Sequence, residues 1–170
     1  MMKPVQIAVS AHSEASPSDV FTILKDGSTW PRWGMFTGFE LERQGKTDPL
    51  GVGAIRVFVS RHARAREEVV EFEDGRQLSY VLLSGMSLRN YRADVRLSPG
   101  RAGGTDISWR SRFEVASPVA AWFWKLVMHR VLGSTARKMA KAATDPSILH
   151  AARDSVAGLG LPRDLSPGHS

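Results

Sequence analysis

The chain has no cysteine, which removes disulfide bridges and thiolate metal ligands together and fits a reducing compartment. It also lacks an uninterrupted apolar run of membrane-spanning length. The N-terminal MMKPVQIAVSAHS is too polar for a signal peptide, and the apolar stretch after Ser117 is broken by Lys125, His129 and Arg130. A soluble, cytoplasmic protein is expected. Acidic residues are in deficit, 17 against 23 basic, for a net charge of +6. Such an excess attracts nucleic acid or anionic lipid where it is concentrated, but here it is spread out. Arg92 and Arg96, and Arg110 and Arg112, alternate along strand-like segments as on a solvated sheet face, and only Arg61, Arg64 and Arg66, with His62, cluster. No nucleic-acid partner is expected.

Signatures of chemistry are equally scarce. Histidines 12, 62, 129, 150 and 169 are never spaced so that a helix or strand would bring two to one metal, so no metal site is expected. No GxSxG elbow occurs. The Gly51–Gly53 pair lacks a third glycine and leads into a strand, which excludes a dinucleotide loop, and no cofactor is expected. Glu67 and Glu68 are strand neighbours that point to opposite faces, while Glu71 and Glu73 share a face read as solvent. Without burial, none of these carboxylates carries a catalytic assignment.

What is present is a pattern of one sheet and one long helix, in a chain whose 170 residues and 42% hydrophobic content suit a single core. Val5, Ile7 and Val9 alternate with polar or small residues as a first strand. SPSDVFTIL then turns helical, with Ser16 or Ser18 as cap, and ends near Asp26 and Gly27; Trp30 and Trp33 follow in a broken segment. Six strands come next: Phe39–Arg43, Ala54–Arg61, Glu67–Glu73, Gln77–Leu83, Leu88–Leu97 and Asp106–Val115. Their short connections favour antiparallel pairing, since parallel neighbours would need long crossovers. From Ser117, a capping residue followed by Pro118, a helix runs to about Ala143, on the order of 35 to 40 Å. Residues 144–170 read as an extension with one or two helical turns and a loose final ten residues.

Period-two alternation assigns an inner sheet face. Tyr91, Ala93, Val95 and Leu97 form one row and Ile107, Trp109, Ser111, Phe113 and Val115 another; Ile55, Val57 and Val59 continue the set, with Val70, Phe72, Tyr80 and Leu82. On the long helix, Val119, Phe123, Leu126 and Arg130 share the face taken to point inward, and Trp122, Trp124, Val127, Met128 and Val131 widen it. A curled sheet holding one helix leaves a hollow.

The order of elements, the PSDVFTILKDGSTWPRW segment, the GVGAIR strand entry, the REEVVEFEDGRQLSY hairpin and the long last helix resemble the START-like superfamily. More narrowly, Val5 to Ala143 resemble its polyketide cyclase/dehydrase and lipid-transport (SRPBCC) group. The resemblance implies an α+β helix-grip domain over residues 1–143, with a seven-stranded curved antiparallel sheet, a long C-terminal helix and two short helices after strand 1. It also implies a deep pocket for lipids, polyketides or similar molecules. On this reading Val57, Val59, Tyr80, Tyr91, Ala93, Val95, Trp109, Ser111, Phe113, Phe123, Leu126 and Arg130 line the pocket, and Trp30 and Trp33 seal it or gate its mouth. The expected function is binding of a hydrophobic small molecule. The alternatives are a cyclase or aromatase moving protons with Tyr91 or Arg130, and a module that contacts proteins or ribosomes.

Overall fold

A computed structural model describes residues 1–160 of the chain; the loose tail expected of the last ten residues lies outside them. Strand β1 (Lys3–Ser13) leads into α1 (Pro17–Lys25), a 3-10 turn (Gly27–Thr29) and α2 (Trp30–Trp33). Strands β2 (Gly38–Arg43), β3 (Ile55–Val59), β4 (Arg64–Glu73), β5 (Gln77–Ser84), β6 (Arg89–Pro99) and β7 (Thr105–Val115) follow, then α3 (Pro118–Ala142) and α4 (Pro146–Leu159). All seven strands form one antiparallel sheet in the order β1-β7-β6-β5-β4-β3-β2. Strands β2 to β7 are thus a meander, and β1 pairs with β7 from Lys3 opposite Val115 to Ser13 opposite Thr105.

Three helices start by one device. Ser16, Ser117 and Asp145 each accept a hydrogen bond from a first-turn amide, and proline follows each of them, where its missing N–H costs nothing. The end of α1 is closed just as fully. Its last carbonyls accept from the Asp26 amide (Thr22 O, 3.2 Å), the Trp30 indole (Ile23 O, 2.8 Å) and the Arg56 guanidinium (Leu24 O, 3.1 Å). Groups that would otherwise be orphaned in the core therefore pin α1, α2 and β3 together.

Side-chain rows across the concave face follow from register. Ile7, Ser111, Ala93, Tyr80 and Val69 stand opposite one another across β1, β7, β6, β5 and β4. The second half of α3 lies close over β1. A Cβ on Gly133 would come 3.8 Å from Val9, and Ser13 donates a 2.6 Å hydrogen bond to Ala140 O.

Three expectations are corrected. On β3 the inner residues are Arg56 and Phe58, not Ile55, Val57 and Val59. Val57 and Val59 share the opposite face with the ion pairs Arg64–Glu40 and Arg66–Glu42. On β4 an irregularity between Val69 and Glu71 puts Val69, rather than Val70, in the core. The extension expected to form a turn or two is the 14-residue α4, whose Ile148 and Ala152 join the core. Ser155 reaches Asp26 (3.3 Å) and Arg153 reaches Asp19 (2.6 Å), fastening α4 to the α1 region.

Candidate functional site

Between the concave face and the first half of α3 lies a cavity of about 190 Å³. Its walls are largely apolar: Phe58 and Trp109 from the sheet, Trp30 from α2, and Trp124, Val127 and Met128 from α3. Met35, which is exposed, stands at its edge.

Its polar feature is Glu67. Register places Arg56 directly opposite Glu67 on adjacent strands, with both side chains on the inner face, and Arg56 Nη2 meets Glu67 Oε2 at 3.1 Å. The Arg56 side chain is 0% exposed and that of Glu67 12%. The guanidinium carbon also lies 5.3 Å from the ring centres of Phe58 and Tyr80, giving the cation aromatic faces where it has no water. Burial pushes the Glu67 carboxyl up to about 7, with Arg56 pulling against it. A carboxyl whose hold on its proton is strengthened by burial therefore lines the hollow.

Tyr80 and Tyr91 line it too, their ring centres 6.2 Å apart. Burial holds both phenols above the ordinary tyrosine range, and the Glu67 carboxylate adds to the effect. Tyr91 stacks on Phe113 at 6.1 Å, which fixes its ring. Trp109 Nε1 and Ser111 Oγ are buried and have no hydrogen-bond partner among the described residues. Ser111 lies near the Tyr91 hydroxyl without closing a bond that satisfies its own oxygen. Of these two residues only Trp109 borders the hollow, and a buried donor left without a partner costs stability.

The residues expected at the site fall into three groups. Trp30, Tyr80, Tyr91 and Trp109 line the cavity. Ala93, Val95, Ser111 and Phe113 are buried in the same core without bordering the hollow. Val57 and Val59 are on the opposite sheet face, and Phe123, Leu126 and Arg130 lie on the exposed side of α3. The apolar stripe through Val119 and Phe123 suggests one phase for the helix, but its small residues set another. Gly133, Ala136 and Ala140 must face β1, and stepping back along that side by helical spacing reaches Leu132, Met128 and Trp124. Arg130 consequently cannot serve chemistry in the hollow. Trp30 is a fixed wall, buried and tied to Ile23 O, with half-buried Trp33 packed on it at 4.9 Å.

Glu67 and Arg56 were missed because alternation normally turns charge outward. A signal did exist: positions 56 and 67 are symmetric about the Arg61–His62 hairpin tip, so their opposite charges fall face to face on adjacent strands. The Arg61 cluster is largely neutralised, since Arg64 pairs with Glu40 and Arg66 with Glu42.

Solved structures share this architecture at low identity. A START superfamily protein from Mycobacterium smegmatis aligns with a TM-score of 0.70 and 15% identity, covering 81% of this chain and 96% of that one. The protein XoxI from Bacillus cereus gives 0.67 and 16%, covering 84% and 98%. Ara h 8.0201 gives 0.60 and 14%, covering 92% and 99%. No curated protein sequence matches significantly. The model of the family described as polyketide cyclase / dehydrase and lipid transport matches residues 4–144, and the chain belongs to that family.

Proposed function

We propose that the protein binds a compact, mainly apolar molecule with one hydrogen-bonding end, held between sheet and α3 with that end toward Glu67 and Trp109. The observation that carries this reading is that Glu67 and Trp109 both line one largely apolar cavity, and that the buried Trp109 N–H has no partner among the described residues. An apolar cavity of about 150 Å³ accommodates benzene, so a hollow of about 190 Å³ suits a single substituted ring. Para-alkylphenols have that shape, and their hydroxyl both accepts and donates. Calorimetric titration with 4-ethylphenol is expected to show saturable binding. Val131→Trp, which fills the cavity from α3, should abolish it, and Trp109→Phe should weaken it about tenfold, the equivalent of one hydrogen bond. Unchanged binding by Val131→Trp would place the ligand elsewhere.

A second reading, catalysis in the same hollow, is favoured by the position of Glu67. A carboxyl whose hold on its proton is raised by burial in a largely apolar pocket is suited to taking a proton from carbon beside a carbonyl, with the Tyr91 or Trp109 donor on the carbonyl oxygen. Exchange of the methyl protons of acetophenone into deuterated water is the simplest assay. Glu67→Gln should stop catalysed exchange while 4-ethylphenol still binds; exchange that persists in the variant removes Glu67 from the chemistry.

A further inference from the structure

The first half of α3 has two apolar sides. One lines the cavity through Trp124, Val127 and Met128, while the other presents Val119, Trp122, Phe123 and Leu126 to solvent at 77%, 69%, 51% and 42% exposure. These four recur at i, i+3, i+4 and i+7, so they form one continuous stripe rather than scattered surface residues. The charge carried by the helix itself has one sign. Across its 25 residues α3 carries no aspartate or glutamate, and its exposed Lys125, Arg130, Arg137, Lys138 and Lys141 are all basic. Ser60 and Ala63 border the cavity together with Trp124 and Val127, so the exposed Arg61 and His62 of the β3–β4 hairpin belong to the same end of the molecule.

We propose that this outer face of α3 docks on an anionic lipid surface. An aromatic and aliphatic stripe flanked by lysine and arginine is the composition that lies in the headgroup region, the rings entering the acyl boundary and the cations meeting phosphate. Among the described residues no helix is long and apolar enough to cross a bilayer, so the contact is peripheral. A second copy of the chain is a poorer occupant. A two-fold contact through this stripe would bring Lys125 and Arg130 of both copies together, with no carboxylate on the helix to answer them. Because the docked helix is also the cavity wall, docking sets the hollow and the exposed Met35 beside the lipid surface.

Co-sedimentation of the full chain with vesicles tests this. Binding is expected to an equimolar phosphatidylcholine–phosphatidylglycerol mixture, to weaken as sodium chloride is raised, and to be slight on phosphatidylcholine alone. The double variant Trp122→Glu/Phe123→Glu alters only exposed side chains and should lower partitioning about tenfold or more. Lys125→Glu/Arg130→Glu should abolish the preference for the anionic mixture. Failure of the wild-type chain to sediment, or equal sedimentation by the first variant, overturns the proposal. So does a concentration-dependent dimer in analytical ultracentrifugation that the first variant abolishes in the absence of lipid binding. Titration of that variant with 4-ethylphenol separates this surface from the cavity, since binding inside should survive.

Discussion

At the scale of single residues, the buried pair Arg56–Glu67 governs both the core and the site. Its two members are worth most together. Arg56→Met leaves a carboxyl beside apolar rings and strips a donor from Leu24 O, a loss of about 3–5 kcal/mol for a broken buried pair. Adding Glu67→Leu removes the stranded group and should recover much of that loss. Urea unfolding of both single variants and the double variant measures the coupling, and strictly additive losses would show that the pair does not act as a unit. The proton on Glu67 gives a second handle. In the unfolded chain the carboxyl ionises near 4.5, and in the folded chain near about 7. Its contribution is therefore complete below 4.5 and lost as pH rises toward 7, because the unfolded state sheds the proton first. The full effect is on the order of 3 kcal/mol. Glu42, Glu71 and Asp94 have lowered values and push the opposite way, so the measurement must be the difference between wild type and Glu67→Gln. That difference should move against the wild type as pH rises across the window; a difference independent of pH would contradict the assignment.

At the scale of elements, strands and helix starts were legible because each rests on local chemistry: alternation in β6 and β7, and a capping residue before proline at α1 and α3. Facing was less legible where both sides of an element are apolar. IRVFV in β3 is buried on both faces, and α3 has aromatic residues all round in its first half. In both, the informative residue breaks the apolar pattern: Arg56, which has a partner across the ladder, and Gly133, which allows close approach. The extent of α4 was underread although Asp145-Pro146 repeats the cap-then-proline device and Ile148 and Ala152 are a helical turn apart. The facing of α3 yields a stability prediction. A methyl on Gly133 meets Val9 at an ordinary 3.8 Å and only the movable end of Arg137 at 3.3 Å. Gly133→Ala should therefore stabilise the chain by about 0.5–1 kcal/mol through helix propensity. Ala136→Leu, at a fully buried position on the same side, should cost about 1–3 kcal/mol by overpacking. Thermal unfolding distinguishes the two, and the reverse ranking would mean that α3 turns a different side to β1.

At the scale of the whole molecule, a meander bent around the long helix α3 was readable from strand count and connection length. The size of the remaining hollow was not, since it depends on which side chains α3 turns inward. The large Trp124 and Met128 do so, and they line a space of about 190 Å³. Trp124 is half-buried at the cavity edge, and replacing it by alanine removes wall rather than deep core. Trp124→Ala should thus cost less than the ~3–5 kcal/mol typical of a fully buried tryptophan while lengthening the hollow. In a series of para-alkylphenols, the wild-type chain should bind the short members best, its affinity falling once the alkyl group outgrows the space. The variant's optimum should move to longer chains, because each added methylene that finds apolar cover gains about 0.8 kcal/mol. Calorimetric titration of both proteins with the same series reads the shift directly. An unchanged optimum would mean that α3 does not set the length of the site, and the link between the helix's facing and its ligand would have to be abandoned.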